Sequence, residues 1–333
     1  MRRVFGYVLI GLGVLLLVLA PLLRFYVAPK LAVAPLRCTG TTLCDNGVSL
    51  SPSAGTAETL FDPTTLTARS QVPLEAQRRV QPDAEVSTPD QTMYNTSQIV
   101  NDQQGTQVDG TTARYAFNGH TSQMLDCCHS NVNGVPIEDF SGVMPLKFPF
   151  GVEQKDYLYY DDTINQATTA KFVGTDTVEG LTVDKFVQVI APTKVGTLEV
   201  PGALVGVPRK AAYVADRYYS NTRTMWVEPT TGVIVNGTED QLQTLRGPDG
   251  TDQLTLIKAT LVFTPENVSG SVSQAEDGKS QLDLIQKTLP LAALVLGLVA
   301  LVGGVLLVRR RDGGSPDAGA PTQPATAGAP TPA

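Results

Sequence analysis

The sequence predicts an α+β membrane protein, with a mainly antiparallel β extracytoplasmic domain between an N-terminal and a C-terminal transmembrane helix. Three observations predict it. Two uncharged apolar runs lie near the ends of the 333-residue chain, β-branched runs broken by Gly and Pro fill the stretch between them, and arginines flank both runs on the sides nearest the termini.

The first run, Val4 to Leu23, reads VFGYVLIGLGVLLLVLAPLL. Such a helix rises roughly 30 Å, the thickness of a bilayer core, and satisfies its own backbone polar groups in lipid. The second, Leu289 to Val308, reads LPLAALVLGLVALVGGVLLV and has the same length. Arg2 and Arg3 precede the first run, and Arg309, Arg310 and Arg311 follow the second. Cytoplasmic flanks carry the excess of Lys and Arg. Residues 1–3 and 309–333 are therefore expected in the cytoplasm, and 24–288 outside the plasma membrane. The first run exceeds the roughly 7–15 apolar residues of a signal peptide, so it reads as a retained anchor. Cleavage near Ala32-Val33-Ala34 is the alternative.

Both runs carry small residues at helical spacing. Gly6, Gly13 and Ala20 recur every seventh position, and Ala293, Gly297, Ala300 and Gly304 form a second stripe. Small residues let helix backbones approach closely in lipid, so the two runs are expected to pack on each other or on copies of themselves.

Between the runs, Leu31 to Pro52 reads as loop. Ala113 to Phe117 and Gln123 to Asp126 are short strand candidates. Lys171 to Ile190 (KFVGTDTVEGLTVDKFVQVI) places two β-rich runs around Glu179-Gly180, a hairpin signal. Thr222 to Val227 leads through Glu228-Pro229-Thr230-Thr231-Gly232 into Val233 to Val235, again a hairpin. Leu254 to Phe263 alternates as a half-buried strand does. Glu266 to Thr288 reads as a helical stalk entering the second span. Residues 312–333 are mostly Gly, Ala, Pro and Thr, too poor in apolar surface to offset their ordering entropy, and a disordered cytoplasmic tail is expected.

Net charge is −7, and six of the 25 basic residues flank the apolar runs, so the middle is more acidic than the whole. That argues against a nucleic-acid partner, whose phosphates need a basic face. The sequence contains no GxSxG, HExxH, phosphate-binding loop or dinucleotide fingerprint, so no catalytic residue is assigned and no cofactor is expected.

All four cysteines, Cys38, Cys44, Cys127 and Cys128, fall in the middle domain, where an oxidising compartment favours disulfides. Two arrangements fit: Cys38–Cys44 with a vicinal Cys127–Cys128 bond, or links from the Cys38 region to the Cys127 region. His120 and His129 lie near the second pair, but the spacing matches no zinc pattern, and no metal is expected. Asp156, Asp161 and Asp162 surround Tyr157, Tyr159 and Tyr160. Carboxylates accept hydroxyls and aromatic faces stack on sugar rings, so this cluster is a candidate ligand site; an ordinary strand with an acidic turn is the plainer reading. The apolar stretch 195–207 is read as core rather than a lipid groove.

The segments Pro145-Leu146-Lys147-Phe148-Pro149-Phe150-Gly151, Tyr157-Leu158-Tyr159-Tyr160-Asp161, Val178-Glu179-Gly180-Leu181 and Trp226-Val227-Glu228-Pro229-Thr230-Thr231-Gly232-Val233 follow one another in that order. With both apolar runs, they make the chain resemble the PorA family of actinobacterial membrane proteins, up to Arg311. The resemblance brings no catalytic residue to carry over. It implies a cell-envelope protein, and through some members a link to maturation of envelope lipoglycans. The membrane, lipid or lipoglycan, and envelope-assembly proteins are the expected partners. A non-enzymatic lipid-binding or scaffold role is expected; a porin-like oligomeric pore and a glycan-processing enzyme are the alternatives. Uniformly apolar helices, rather than alternating strands, argue against a self-contained barrel pore.

Overall fold

The computed structural model describes residues 2–37 and 43–309. Cys38 and the tail beyond Arg309 lie outside the described residues. The chain divides into two compact units, the terminal helices and Leu23–Thr288.

The first unit pairs α1 (Arg2–Leu22) with α4 (Leu289–Arg309), each long and apolar enough to cross a membrane. They run antiparallel, with Gly6 against Gly304 and Gly13 against Gly297. A Cβ on Gly13 would come within 2.8 Å of the Gly297 carbonyl and of the Leu301 amide. One on Gly304 would come equally close, 2.8 Å, to the Gly6 carbonyl. Ala20 and Ala293 are also buried, whereas Val8, Leu15, Leu296 and Val299 point outward. The small stripes thus occupy the seam, and the large aliphatic residues cover the outside, as lipid requires.

The second unit opens with a π-turn (Leu23–Val27) and a single turn, α2 (Ala28–Leu31). It is dominated by one antiparallel sheet curled into a half-barrel. In chain order the strands are β1 (Cys44–Asp45), β2 (Val48–Asp62), β3 (Thr67–Pro82), β4 (Thr92–Asp102), β5 (Gln107–Phe117), β6 (Asn131–Val132) and β7 (Val135–Pro136). They continue with β8 (Tyr157–Asp161), β9 (Gln166–Val178), β10 (Leu181–Val200), β11 (Tyr213–Val227), β12 (Ile234–Arg246) and β13 (Asp252–Phe263). The spatial order is β7-β6-β5-β4-β3-β2-β13-β12-β11-β10-β9-β8, so two meanders meet where β2 pairs with β13.

The expected hairpins form. β9 and β10 turn at Glu179 (φ 47°) and Gly180 (φ 87°), the paired positive φ angles of a two-residue turn that follows strand twist. β11 and β12 turn through 228–232, and β13 covers the alternating run. Three readings are corrected. Residues 48–52, read as loop, begin β2: Ser49 to Pro52 pair with β3, and this pairing overrides the weak strand propensity of the Ser and Pro there. β3 and β4, long strands, were not read from the sequence. Residues 123–126 make isolated bridges rather than a strand.

Those bridges matter to the shape. Phe117 pairs with Met124, Gln123 with Val143, and Val143 with Tyr159, so the crossing segment between β5 and β8 draws the two ends of the sheet together. Tyr115 on β5 meets Tyr160 on β8 edge to face, ring centroids 6.5 Å apart. A core of Tyr94, Phe117, Met124, Ile137 and Met144 fills this closure. Of the stretch 195–207, Val200 and Val205 go to a separate small core with Ala215 and Leu245, whereas residues 196–199 are exposed.

After β13 comes α3 (Pro265–Asp283), continued by a π-turn (Leu284–Thr288). Thr264 caps α3 by accepting from the Asn267 amide, and Pro265 sits where its missing N–H costs nothing. Asn267 Nδ2 donates to Ser51 Oγ (2.9 Å) and to the Pro52 carbonyl (3.0 Å), tying the helix to β2. Asn267 stands in an Asn-Val-Ser sequon, yet is only 1% exposed, and its side chain is spent on this junction.

Candidate ligand cavity

Strand alternation decides what faces the concave side. On β3, Val72, Leu74 and Ala76 are buried while Gln71, Glu75, Gln77 and Arg79 are exposed. The inner face of the sheet, α3, residues 31–37 and the segment 145–150 surround a cavity of about 760 Å³. Its apolar walls include Leu31, Val80, Leu146, Leu261, Phe263 and Ile285. The size falls within the range of about 300–1,000 Å³ usual for small-molecule sites. The 31–37 segment is fixed at three points to β4 and to the turn after β5: the Ala34 amide donates to the Gly119 carbonyl (2.8 Å), Tyr94 Oη donates to the Pro35 carbonyl (2.6 Å), and His120 Nδ1 lies 2.7 Å from the Ala32 carbonyl oxygen.

Three of the four quoted motifs converge beside the cavity. Phe148 and Gly151 donate their amides to the carbonyls of Gly232 (2.9 Å) and Thr230 (3.1 Å), laying the 145–151 segment on the β11–β12 turn. Gly232 (φ 72°) is required there, because a Cβ would strike the carbonyls of Phe148 and Pro149. The Phe148 ring is fully buried between Tyr159 and Phe186, with centroids 5.4 and 4.7 Å away. Tyr159 Oη donates to the Pro145 carbonyl, 2.7 Å away.

Lys147, from the same segment, lines the cavity. Its Nζ donates to the Phe148 carbonyl (2.8 Å) and lies 3.6 Å from the Phe150 ring centroid, a cation–π contact. Burial pushes its pKa down to about 7, with the Glu228 carboxylate opposing the shift. Glu228 is itself fully buried. Its Oε2 accepts from the Thr231 amide and hydroxyl, both at 2.7 Å, and its Oε1 lies 4.0 Å from Lys279 Nζ.

A polar network crosses the concave floor. Arg223 donates to Asp161 Oδ2 (3.1 Å), Glu239 Oε1 (2.8 Å) and Gln188 Oε1 (2.7 Å). Gln188 in turn donates to the Tyr159 carbonyl, 2.8 Å away. Burial works against ionising Glu239, yet Arg223 holds its carboxyl below the usual range. Asp162 accepts a 2.5 Å hydrogen bond from Tyr115 Oη, and burial raises its pKa, with Arg78 opposing.

The Asp/Tyr cluster is therefore divided. Tyr159 and Asp162 line the cavity. Asp161 is spent on Arg223 and on the Thr163 and Ile164 amides. Tyr160 is bonded to Asn165, and Asp156 accepts from the Phe172 amide (3.0 Å). Tyr157 packs edge-on against Phe148 and Phe186. Cys127 and Cys128 are joined to each other with Cα atoms 3.7 Å apart, and Cys44 is also disulfide-bonded. Among the described residues, no group of three or more His, Cys, Asp and Glu could hold a metal ion.

Sequence reasoning missed Arg78, Gln98 and Glu239, all of which line the cavity. A signal for Arg78 was present: it occupies an inward position of the period-two series Val72, Leu74, Ala76, Val80, where a charge is out of place.

Fold and cavity together define a membrane protein in which a curved antiparallel sheet, between two terminal apolar helices, encloses a ligand-sized space. The chain belongs to the Porin PorA family, which matches residues 5–306. A protein called Porin PorA from Corynebacterium amycolatum is 25% identical over 91% of this chain and 98% of its own length. Another of that name, from Corynebacterium resistens, is 24% identical over 50% of this chain and 55% of its own. A Bacteroides fragilis structure of YmcC-like fold aligns with 68% of this chain and 98% of that one, at 9% identity and a TM-score of 0.21, a likeness too slight to bear on the fold.

Proposed function

We propose that this protein is a two-span envelope protein, both termini cytoplasmic, whose outer domain holds a membrane lipid or the lipid anchor of a lipoglycan in its concave cavity. The single observation that carries the reading is the cavity itself: about 760 Å³, walled by aliphatic and aromatic side chains around a polar floor. That combination suits an amphiphile, with chains against the walls and a head on the floor. Leu31 and Ile285, which line it, stand close in sequence to the two apolar runs, consistent with loading from the bilayer. A non-enzymatic carrier or scaffold needs nothing more.

Native mass spectrometry of the full-length protein, extracted gently from its own membrane, tests this. The expected result is a discrete added mass in the lipid range that is lost in Ala76→Trp, which fills the cavity. A bare chain under the mildest extraction would overturn the reading.

The relatives' name favours a second reading, a pore. A lipid-facing barrel needs an apolar outer band, whereas β3 presents Gln71, Glu75, Gln77 and Arg79 outward. Discrete conductance steps from the purified protein in a planar bilayer would favour the pore.

A further inference from the structure

The polar floor of the cavity holds two arginines in different situations. Arg223 is saturated by Asp161, Glu239 and Gln188. Arg78 uses only Nε, which donates to Gln98 Oε1 at 2.8 Å. Its Nη1 and Nη2 have no hydrogen-bond or ion-pair partner among the described residues, although the side chain lines the cavity and is partly buried. Both neighbouring carboxyls are already engaged: Asp162 by Tyr115 Oη, and Glu239 by Arg223. Neither nitrogen is sealed off, so both stay accessible to an acceptor that arrives in the cavity. The planar pair of Nη donors matches two oxygens of one anionic group.

We propose that Arg78, positioned by Gln98, is the seat for an anionic phosphate-type headgroup of the lipid in this cavity. The inference rests on the lipid-holding reading above and adds the charge of the ligand. The other charged residues of the lining are Arg37, Lys147 and Arg223 against Asp162, Glu239 and Asp277. Asp162 sits where burial favours its neutral form, which leaves the floor receptive to a negative group. Of the two arginines on the floor, Arg78 is the one with hydrogen-bonding capacity left open, so it selects the ligand, whereas Arg223 holds the floor together.

The test compares phosphatidic acid with diacylglycerol, both carrying the same fluorescent acyl chain, on the full-length protein in mild detergent. Wild type should bind phosphatidic acid at least about tenfold tighter, and Arg78→Gln should reduce the preference to about twofold while still binding diacylglycerol. Arg78→Lys should fall between, keeping the charge but losing the fork. Equal binding of the two lipids by wild type would overturn the charge inference and leave the lipid reading intact. No binding of either would overturn both. The wild-type comparison decides even where a variant fails to fold. Inorganic phosphate should displace the fluorescent lipid only weakly; displacement as effective as by unlabelled phosphatidic acid would assign the seat to free phosphate instead.

Discussion

Lys147 shows how one residue's chemistry is set by its surroundings. It comes from a short segment with no regular structure of its own, and the segment 228–233 supplies both its backbone partner, Val233, and its nearby carboxylate, Glu228. The ordinary value for a lysine is 10.5, and burial lowers this one to about 7. Between those values the unfolded chain holds a proton that the folded chain has lost, so stability should rise with pH across that window. The urea midpoint of the full-length protein is expected to climb between about pH 7 and pH 9, and Lys147→Met should flatten the climb. A wild-type midpoint that is level or falling over that range would mean that Lys147 stays charged in the fold. The motif around Lys147 was visible in the sequence, but its role was not, because its burial depends on the 145–151 segment being laid on the distant β11–β12 turn.

At the scale of elements, the helix pair illustrates what spacing can and cannot say. Gly6, Gly13, Gly297 and Gly304 were readable as stripes; that each stripe meets the other, rather than a copy of itself, is a matter of three-dimensional pairing. A Gly6→Cys/Gly304→Cys pair should cross-link within one chain on oxidation. Adding Gly13→Leu and Gly297→Leu should cut the yield several-fold, since side chains there would meet backbone at 2.8–3.0 Å. An unchanged yield would show that the seam tolerates bulk. The strands tell a similar story. β10 and β13 were legible because β-branched residues cluster and alternate in them. β2 was not, because Val48–Asp62 contains Ser, Pro and Gly and forms a strand only by pairing on both sides.

For the whole molecule, the proposed arrangement across the membrane, both termini cytoplasmic, rests on the arginine flanks. Glu75→Cys lies on the outward face of β3, and Ser315→Cys lies in the tail beyond the second span. A membrane-impermeant maleimide should label the first in intact cells and the second only after permeabilisation, above the background of the unsubstituted protein. The reverse pattern would place the domain in the cytoplasm and remove the case for an envelope ligand.

The sequence by itself determined the two apolar helices, the mainly antiparallel β character between them and the hairpin turns. Those features are local, fixed by hydrophobic length, side-chain period and backbone preference within a few residues. Only the tertiary structure decided which strand lies beside which, that β2 meets β13, and that the segment between β5 and β8 draws the ends of the sheet together. The cavity and its polar floor are products of that closure. Arg78, Tyr115, Asp162, Arg223 and Glu239 come from five separate places in the chain, and no sequence period links them. Their proximity comes from strand pairing over long separations, so the chemistry of the floor is set by contacts that no local pattern encodes.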